Sequence, residues 1–478
     1  MIGRTVRTAA ATLAASAAAC AIVGEDYVRP DLQLASAWNA SGEEGSAESA
    51  PEDLGRWWIT LEDARLDELV EEALSGSLDL ASAVQRVRQA AALQRRAVGE
   101  RFPDVNGTGS YSRTRVSANT FPPFGQQTFD LYTIGLEFGW EIDLWGRVTR
   151  IIEAADADLA ASIEDLRDVQ ALVVASVASA YVEVRMSQAR LGVALQNVEI
   201  QRRSLELTET RFRAGAAPAL DVAQARTNLS NTEADVPALR ADLRAAELQL
   251  AVLLGRDPSS IIGELDGDGD IPTPPSTFGV GVPADVLRQR PDVRSAEQRL
   301  VSEVARVGIE EADLYPRFDL VGSIGYESTS SGKLFQADSG FFGFGPTLFW
   351  NLFDGGRERA DIEAQKAAAE VALLDYRQSV LEAIEEVERE VYGLARERER
   401  VESLSVAVEA ARDSAELSKQ LYLEGRSDFQ NVLDAERSLF AAEESLILSR
   451  ADVTQTFIAL QRALGGGWQP TEADGEGQ

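Results

Sequence analysis

Residues 132–147 read YTIGLEFGWEIDLWGR, and this stretch decides the fold because it joins a strand pattern to a helix pattern. Up to Leu144, apolar side chains alternate with small or acidic ones, which is the period of a strand with one apolar face. A helical pattern begins near Arg147 and continues to residue 214, where Gly215 predicts its end. At about 1.5 Å per residue this helix is on the order of 100 Å long, and no compact domain needs such a helix.

The same stretch occurs a second time. Residues 342–357 read FGFGPTLFWNLFDGGR, and an offset of 210 positions aligns Trp140 with Trp350 and Leu254 with Leu464. Before Trp140 the offset becomes 213, as expected when a surface loop between two strands differs in length. Unrelated helices would not keep this register, so the chain consists of two copies of one unit.

The repeat predicts the organisation of the chain. The segments are a signal peptide at 1–19, a lipid-linked extended segment at 20–65, a first repeat at 66–265, a linker at 266–284, a second repeat at 285–465 and a mobile acidic tail at 466–478. The first repeat contains a helix at 79–101, strands at 104–116 and 129–144, a long helix at 147–214 and a helix at 219–254. The second contains a helix at 292–314, strands at 317–329 and 341–353, a long helix at 357–424 and a helix at 429–464. Within each repeat we expect the two shorter helices to stack end to end beside the long one.

Apolar residues recur every seven positions along both long helices. They are Val177, Val184, Leu191, Val198, Leu205 and Phe212 in the first, and Val387, Leu394, Val401 and Val408 in the second. A strict seven-residue period predicts left-handed coiled packing against neighbouring helices. A plain amphipathic helix of period 3.6 would drift away from such a seam.

The four predicted strands have the length of tilted membrane-spanning strands, and aromatic residues lie near their ends. Any one of them could be the edge of a soluble sandwich, but four strands flanking very long helices favour a membrane. Beyond the signal, no segment is expected to be apolar enough for a membrane helix. Lipid does not tolerate open sheet edges, and four strands cannot close a barrel, so several chains must contribute. The residues themselves leave two, three or four chains open.

The composition excludes several classes of function. The chain of 478 residues is 45% hydrophobic and 26% charged, which predicts a large ordered core. It contains no histidine and one cysteine, which removes the commonest general base and transition-metal ligands. The net charge of −32 argues against a nucleic-acid partner. We expect no catalytic site, metal or cofactor; a secreted carboxylate hydrolase is disfavoured because no convergent site motif is found.

The N-terminus has the pattern of an export signal. Arg4 and Arg7 precede a small apolar stretch at 9–19, which ends at the single cysteine, Cys20. Cleavage before Cys20 would leave a thiol that can carry lipid, so Cys20 is the predicted lipid anchor. Ala17 stands where bacterial lipoprotein signals usually carry leucine, which leaves an unlipidated secreted protein as the alternative.

Several motifs follow one another along the chain. They are DYVRP at 26–30, DLWGR at 143–147, GVPADVLRQRPDVRSAEQRL at 281–300, NLFDGGR at 351–357, YLEG at 422–425 and NVLDAERSL at 431–439. In this order they resemble the outer-membrane efflux factor family of the TolC type, in its lipoprotein branch. Glu25 in place of a proline and Gly76-Ser77 in place of an asparagine depart from its pattern.

The resemblance implies a mainly α-helical homotrimer with a twelve-stranded outer-membrane barrel, four strands per chain, and a periplasmic tunnel of twelve helices. It further implies a passive exit duct, joined through a periplasmic adaptor to an inner-membrane transporter. The alternative from a different class is a structural coiled-coil lipoprotein without a pore, and the alternating strands argue against it.

The hairpins that end the long helices are expected at the periplasmic tip. The candidates for adaptor contact there are Phe212, Gly215, Leu220, Tyr422, Gly425 and Arg426. Both glycines could equally serve as simple helix terminators.

Three charged residues are candidates for the pore aperture. Asp434 matches a family position that faces the narrow entrance, Arg437 lies one turn beyond it, and Asp221 has a weaker analogous place in the first repeat. Repeated by symmetry, an acidic side chain forms a ring that attracts cations and helps to hold the resting pore shut. Each could instead be a solvated charge on a helix face. Opening is expected as a rotation of the second-repeat hairpin away from the axis.

Overall fold

A computed structural model of the chain describes residues 22–31, 38–39, 46–47, 54–117, 127–267 and 269–468. Its α-helices are α1 (Ala64–Gly76), α2 (Leu78–Gly99), α3 (Arg147–Arg213), α4 (Ala219–Leu253), α5 (Pro283–Gln289), α6 (Pro291–Ala312), α7 (Arg357–Leu423) and α8 (Phe429–Ala463). Its strands are β1 (Ser46–Ala47), β2 (Asp104–Val116), β3 (Gln127–Glu141), β4 (Phe278–Gly279), β5 (Arg317–Ser328) and β6 (Gly340–Phe349). The predicted signal peptide, the anchor Cys20 and residues 469–478 of the tail lie outside the described residues.

The chain divides into two units, each assembled from three stretches of sequence. The first unit comprises residues 1–31, 86–162 and 295–377, and it carries the four-stranded sheet. The second unit comprises residues 32–85, 163–294 and 378–478, and it carries the largest hydrophobic core and both helical hairpins.

The four long strands form one antiparallel sheet in the order β2-β3-β5-β6. Two hairpins, one from each repeat, meet where β3 pairs with β5, and Leu136 lies opposite Ile324. Within the described part of the chain, the outer edges of β2 and β6 have no strand partner. The predicted four strands and their apolar alternation are therefore present, and the sheet remains open at both sides.

One face of this sheet and the segment after β6 expose large apolar side chains. Phe342 and Phe344 are each 76% exposed, and Phe353 is 90% exposed. A soluble monomer rarely exposes a contiguous apolar patch of this kind, whereas a sheet in contact with lipid requires one.

Tryptophans at the ends of the strands fasten the sheet to the preceding helices in the same way in both repeats. The Trp140 indole donates to the carbonyl of Arg101 at 3.0 Å, and the Trp350 indole donates to the carbonyl of Leu314 at 3.1 Å. Each bond satisfies a carbonyl just beyond a helix end, where the helix offers no partner. The repeat is thus preserved in its contacts as well as in its sequence.

Strands β3 and β6 end earlier than the predicted ends at residues 144 and 353, because an aspartate begins each long helix. Asp143 accepts from the backbone N–H groups of Val148 at 3.1 Å and Thr149 at 2.9 Å. Asp354 accepts from the N–H group of Glu358 at 2.7 Å. These caps take the chain out of the sheet three or four residues before the alternating pattern ends.

Phe212, the last member of the predicted seam in α3, is 47% exposed, but other members of both series lie in the core of the second unit. Val177, Val184, Val387 and Leu394 are completely buried there. Trp57 lies edge-on to Phe457 at 6.3 Å and is 1% exposed. This core also encloses α1, a helix that the sequence analysis did not predict as a separate element.

Three predicted segments need correction. Segment 20–65, expected to be extended, contains a 3-10 helix at Leu54–Leu61 and the first two residues of α1. Linker 266–284 contributes β4, which pairs in parallel with β1. The tail is not mobile at its start, because Gly467 donates to the carbonyl of Leu54 at 3.0 Å and Trp468 is buried against Arg167.

Helix α3 is long and apolar enough, by length and composition, to cross a membrane, which the sequence reading did not expect. Its apolar stretch is mostly buried inside the protein, where Val174, Ala178 and Val182 are completely covered. The apolar composition of α3 therefore serves the protein core.

Candidate functional site

The site is built from two helical hairpins, one in each repeat, that share one turn geometry. Gly215 after α3 has φ +71° and Gly425 after α7 has φ +72°. In both turns the residue after the glycine donates to a carbonyl five positions back, Ala216 to Arg211 and Arg426 to Leu421. This is a Schellman turn, and the left-handed conformation at its centre favours glycine. Both glycines therefore terminate helices, whatever else they contact.

Tyr422 lies in the interior of the hairpin region and not on its surface. It is 4% exposed and packs against Phe429 at 5.2 Å, and the Arg211 guanidinium lies 4.7 Å from the centre of its ring. Its hydroxyl donates to Asp221 Oδ2 at 3.1 Å. The prediction of Tyr422 as an adaptor contact is wrong for this packed state, because a ring in the final turn of α7 is covered by the first turn of α8.

The bond between Tyr422 and Asp221 links the second hairpin to the first. Burial, reinforced by the Asp221 carboxylate, raises the pKa of the Tyr422 phenol to about 12, so the phenol stays a donor at physiological pH. Arg211 also donates to the carbonyl of Leu423 at 3.0 Å. We call Tyr422, Asp221 and Arg211 the hairpin latch.

Asp434 and Arg437 are exposed on α8. Their closest charged atoms are 4.0 Å apart, and the side chains are 59% and 51% exposed, respectively. Arg437 Nε donates to Asn228 Oδ1 on α4 at 2.8 Å, and Asp434 accepts from Gln430 at 2.9 Å. Arg437 is thereby another link between the two hairpins.

The remaining tip candidates are exposed. Phe212 is 47% exposed and Leu220 is 63% exposed, while Arg426 pairs with Glu424 at 3.0 Å. Apolar side chains at exposed helix ends are available to a partner, and the structure keeps these on the hairpin surface.

Glu436 is a residue that the sequence reading missed. It is 6% exposed, and its Oε1 accepts from the Ser204 hydroxyl of α3 at 2.7 Å. Its Oε2 has no hydrogen-bond partner among the described residues. Burial raises the pKa of this carboxyl, only partly opposed by the Ser204 hydroxyl and by Lys419 on α7. Position 436 corresponds to Arg226 in the first repeat. The opposite charges at these two equivalent positions are the sequence feature that could have drawn attention to Glu436.

Glu436 borders a second, polar seam of α3. Its members lie three positions after those of the apolar seam, and Ser187, Ala194, Gln201 and Thr208 are all at most 3% exposed. The Gln201 carbonyl and the Asn228 amide nitrogen have no hydrogen-bond partner among the described residues. Buried polar groups weaken helix packing unless they are satisfied. These unsatisfied groups therefore weaken the packing of the hairpins.

A sheet with exposed aromatic side chains and two helices of 67 residues define a class of protein. The sheet has a lipid-compatible face and unpaired edges, which is the condition of one part of a membrane-spanning β-structure. The helices end in hairpins that polar contacts hold together, and the described residues contain no cluster of His, Cys, Asp and Glu that could hold a metal ion. These features define a channel-forming membrane protein.

Comparisons with known proteins give the family. Residues 69–256 and 282–466 match the family described as outer membrane efflux protein. The chain is 31% identical to nodulation protein T of Rhizobium leguminosarum bv. trifolii, over 95% of this chain and 96% of that protein. It is 29% identical to the solvent efflux pump outer membrane protein SrpC of Pseudomonas putida, over 95% and 96% of the two chains. The fold matches the outer-membrane channel OprN with a TM-score of 0.87 and 36% identity, over 94% of this chain and 100% of that one.

The chain belongs to the outer membrane efflux protein family. It has the fold of the outer-membrane efflux channels and acts as the outer-membrane component of an efflux pump. The resemblance found in the sequence motifs is confirmed, and the alternative of a coiled-coil lipoprotein without a pore is not supported.

Proposed function

We propose that three copies of the chain form a passive export duct whose periplasmic entrance is closed by the hairpin latch. The observation that carries the assembly is the open sheet, because the unpaired edges of β2 and β6 can pair with neighbouring copies. Three copies would supply twelve strands to a barrel and twelve helices to a tunnel. The duct would perform no chemistry and need no cofactor.

The proposed partners follow from this role. A periplasmic adaptor would bind the exposed hairpin surface, including Phe212, Leu220 and Arg426 with the turn glycines, and join the duct to an inner-membrane transporter. Cys20 would carry a lipid in the outer membrane. Compounds would be selected upstream of the duct.

The proposed gate is the second-repeat hairpin. Tyr422 and Arg437 hold α7 and α8 to α4 through Asp221 and Asn228, and each link is a single hydrogen bond. Asp434 is exposed beside Arg437, where three copies would form an acidic ring at the entrance. Opening would break these links and rotate the hairpin outward as the adaptor binds.

Asp434→Ala tests the acidic ring in a planar bilayer. An exposed ion pair contributes about 0.2–1 kcal/mol, so the mean conductance should rise by at most about fivefold, and cation selectivity should fall as the ring loses its charge. Single-channel recording of the purified channel measures both. Asp413→Ala, which removes the same charge from the exposed surface of α7, serves as the control.

Unchanged conductance and selectivity in Asp434→Ala would contradict the aperture assignment.

The assembly is tested separately by gel migration of unheated membrane extracts, where a stable oligomer near three times the chain mass is expected. A species of another multiple would overturn the trimer and leave the gate assignment to be judged in that oligomer.

Glu436→Gln tests how pH acts on the packed hairpins. Packing raises the pKa of Glu436 above its ordinary value of 4.5, so its contribution to stability is complete below that value and is lost as the pH rises through the raised pKa. The glutamine variant should therefore match the wild type at acidic pH and be more heat-resistant at neutral pH. Dissociation temperatures measured across pH 4–8 check this, with exposed Glu424→Gln as control; equal temperatures at neutral pH would refute it.

A further inference from the structure

The N-terminal segment Ile22–Pro30, here called the strap, lies in a groove on the first unit. The groove is formed by α3, α6 and α7. The Val23 N–H donates to the carbonyl of Trp145 at 2.9 Å, which joins the strap to the turn between β3 and α3. The DYVRP motif, whose role the channel function does not explain, forms the second half of the strap.

Arg150 of α3 recognises the strap backbone. Its Nε donates to the carbonyl of Val23 at 3.1 Å, and its Nη2 donates to the carbonyl of Gly24 and to Asp26 Oδ1, both at 2.9 Å. Arg150 is 4% exposed, and Glu153 balances its charge at 2.7 Å. A buried guanidinium is costly unless its donors are satisfied, and three of the four acceptors it uses here belong to the strap or to its motif.

Glycines allow the strap to lie directly against the helices. Gly24 has φ +89°, and a Cβ there would lie 2.6 Å from the Cα of Gly308. A Cβ on Gly308 would lie 2.9 Å from Arg150 Nε, and one on Gly146 would lie 2.8 Å from the Ile22 side chain. The groove therefore has the shape of this backbone and would reject a residue with a side chain at each of these positions.

Glu297 of α6 holds the other end of the strap. Its Oε1 accepts from the Tyr27 hydroxyl at 3.0 Å, and its Oε2 forms an ion pair with Arg29. The Glu297 side chain is 12% exposed, and burial raises the pKa of Tyr27, which keeps that hydroxyl a donor. Buried Tyr376 of α7 lies beside this pair and completes the groove.

We propose that the groove is an intramolecular binding site for the strap, and that strap binding fixes where the N-terminal end of the chain meets the membrane. The N-terminal end of the strap lies beside Trp145, in the turn between β3 and α3, and Cys20 precedes Ile22 by two positions. Membrane attachment at residue 20, which is part of the proposed function, would then be transmitted to three helices at the base of the sheet. Arg150 and Glu297 act in this scheme as positioning residues.

Binding of the strap is tested by limited proteolysis of the purified full-length channel with a glutamate-specific protease. Cleavage after Glu25 is followed by the mass of the N-terminal fragment. Arg150→Ala should accelerate this cleavage by about tenfold or more, because it removes three hydrogen bonds with a charged donor. Arg306→Ala should cleave at the wild-type rate, because Arg306 pairs with Asp158 and Glu303 on the same helices without contacting the strap.

A charge exchange between residues 29 and 297 tests whether this ion pair holds the strap and whether strap binding affects assembly of the oligomer. Glu297→Arg should release the strap and lower the yield of heat-stable oligomer in membranes, and adding Arg29→Glu should restore both protection and yield. Wild-type cleavage rates in Arg150→Ala and Glu297→Arg would overturn the binding site. Faster cleavage with an unchanged oligomer yield would overturn the positioning role. Absence of oligomer from the wild type itself would refute the proposed function and leave the cleavage result standing.

Discussion

Replacing Tyr422 with phenylalanine is expected to raise the mean conductance of the channel by an order of magnitude or more. The change removes the hydroxyl that donates to Asp221 at 3.1 Å and leaves the buried ring in place. A hydrogen bond to a charged group contributes about 1.5–3 kcal/mol, which corresponds to roughly 10- to 150-fold in the balance between closed and open hairpins. Single-channel recording measures the open fraction and the conductance.

The comparison needs a tyrosine that is not part of the latch. Tyr392 on α7 is 55% exposed, so Tyr392→Phe removes a hydroxyl from the same helix at little cost. Asp221→Asn should give a smaller effect than Tyr422→Phe, because an amide oxygen can still accept from the phenol. If Tyr422→Phe conducts like the wild type and like Tyr392→Phe, the latch does not hold the entrance shut.

The largest loss of stability is expected from Trp57→Ala. Trp57 is 1% exposed and lies edge-on to both Trp58 and Phe457 in the core of the second unit. Truncation of a buried tryptophan costs about 3–5 kcal/mol, because it removes apolar burial and leaves a cavity. In a chain of this size the midpoint of thermal unfolding should fall by about 3–5 °C.

Thermal scans followed by circular dichroism at one fixed rate measure this shift, since a membrane oligomer unfolds irreversibly and its midpoint depends on the scan rate. Ile59 lies on the same 3-10 helix and is 39% exposed, so Ile59→Ala should shift the midpoint by much less. Equal shifts for the two variants would mean that the packing of Trp57 does not make a special contribution to the stability of the core.

The sequence predicted the repeated elements well because their periods are strong. The alternation around Trp140 and the seven-residue seam through Val177 are both patterns of apolar side chains, and both lie where they were expected, except that Phe212 at the end of the seam is exposed. Strand ends were wrong, because Asp143 and Asp354 act as helix caps inside an apolar pattern. In both repeats the hydrogen bonds of the helix cap end the strand, although the apolar alternation of the sequence continues for several more residues.

The site was less predictable for a different physical reason. Tyr422 was expected on the surface, since its burial depends on Phe429, which follows the turn and reaches it only in the folded hairpin. Glu436 and Gln201 belong to a polar seam, and a search for apolar periodicity does not detect such a seam. The groove that binds the strap brings together residues more than one hundred positions apart, and a local sequence pattern does not predict such contacts.

The open sheet also determines how the chain must be delivered. A single copy that folded in water would carry two unsatisfied edges and a row of exposed aromatic rings, of which Phe344 is 76% exposed. Such a surface adheres to any extended peptide it meets, including another unfinished copy. We therefore expect the strands to fold last, at the bilayer, where they can pair with the strands of neighbouring copies. Transit across the periplasm would then require a chaperone that covers the β-segments while the helices are already formed.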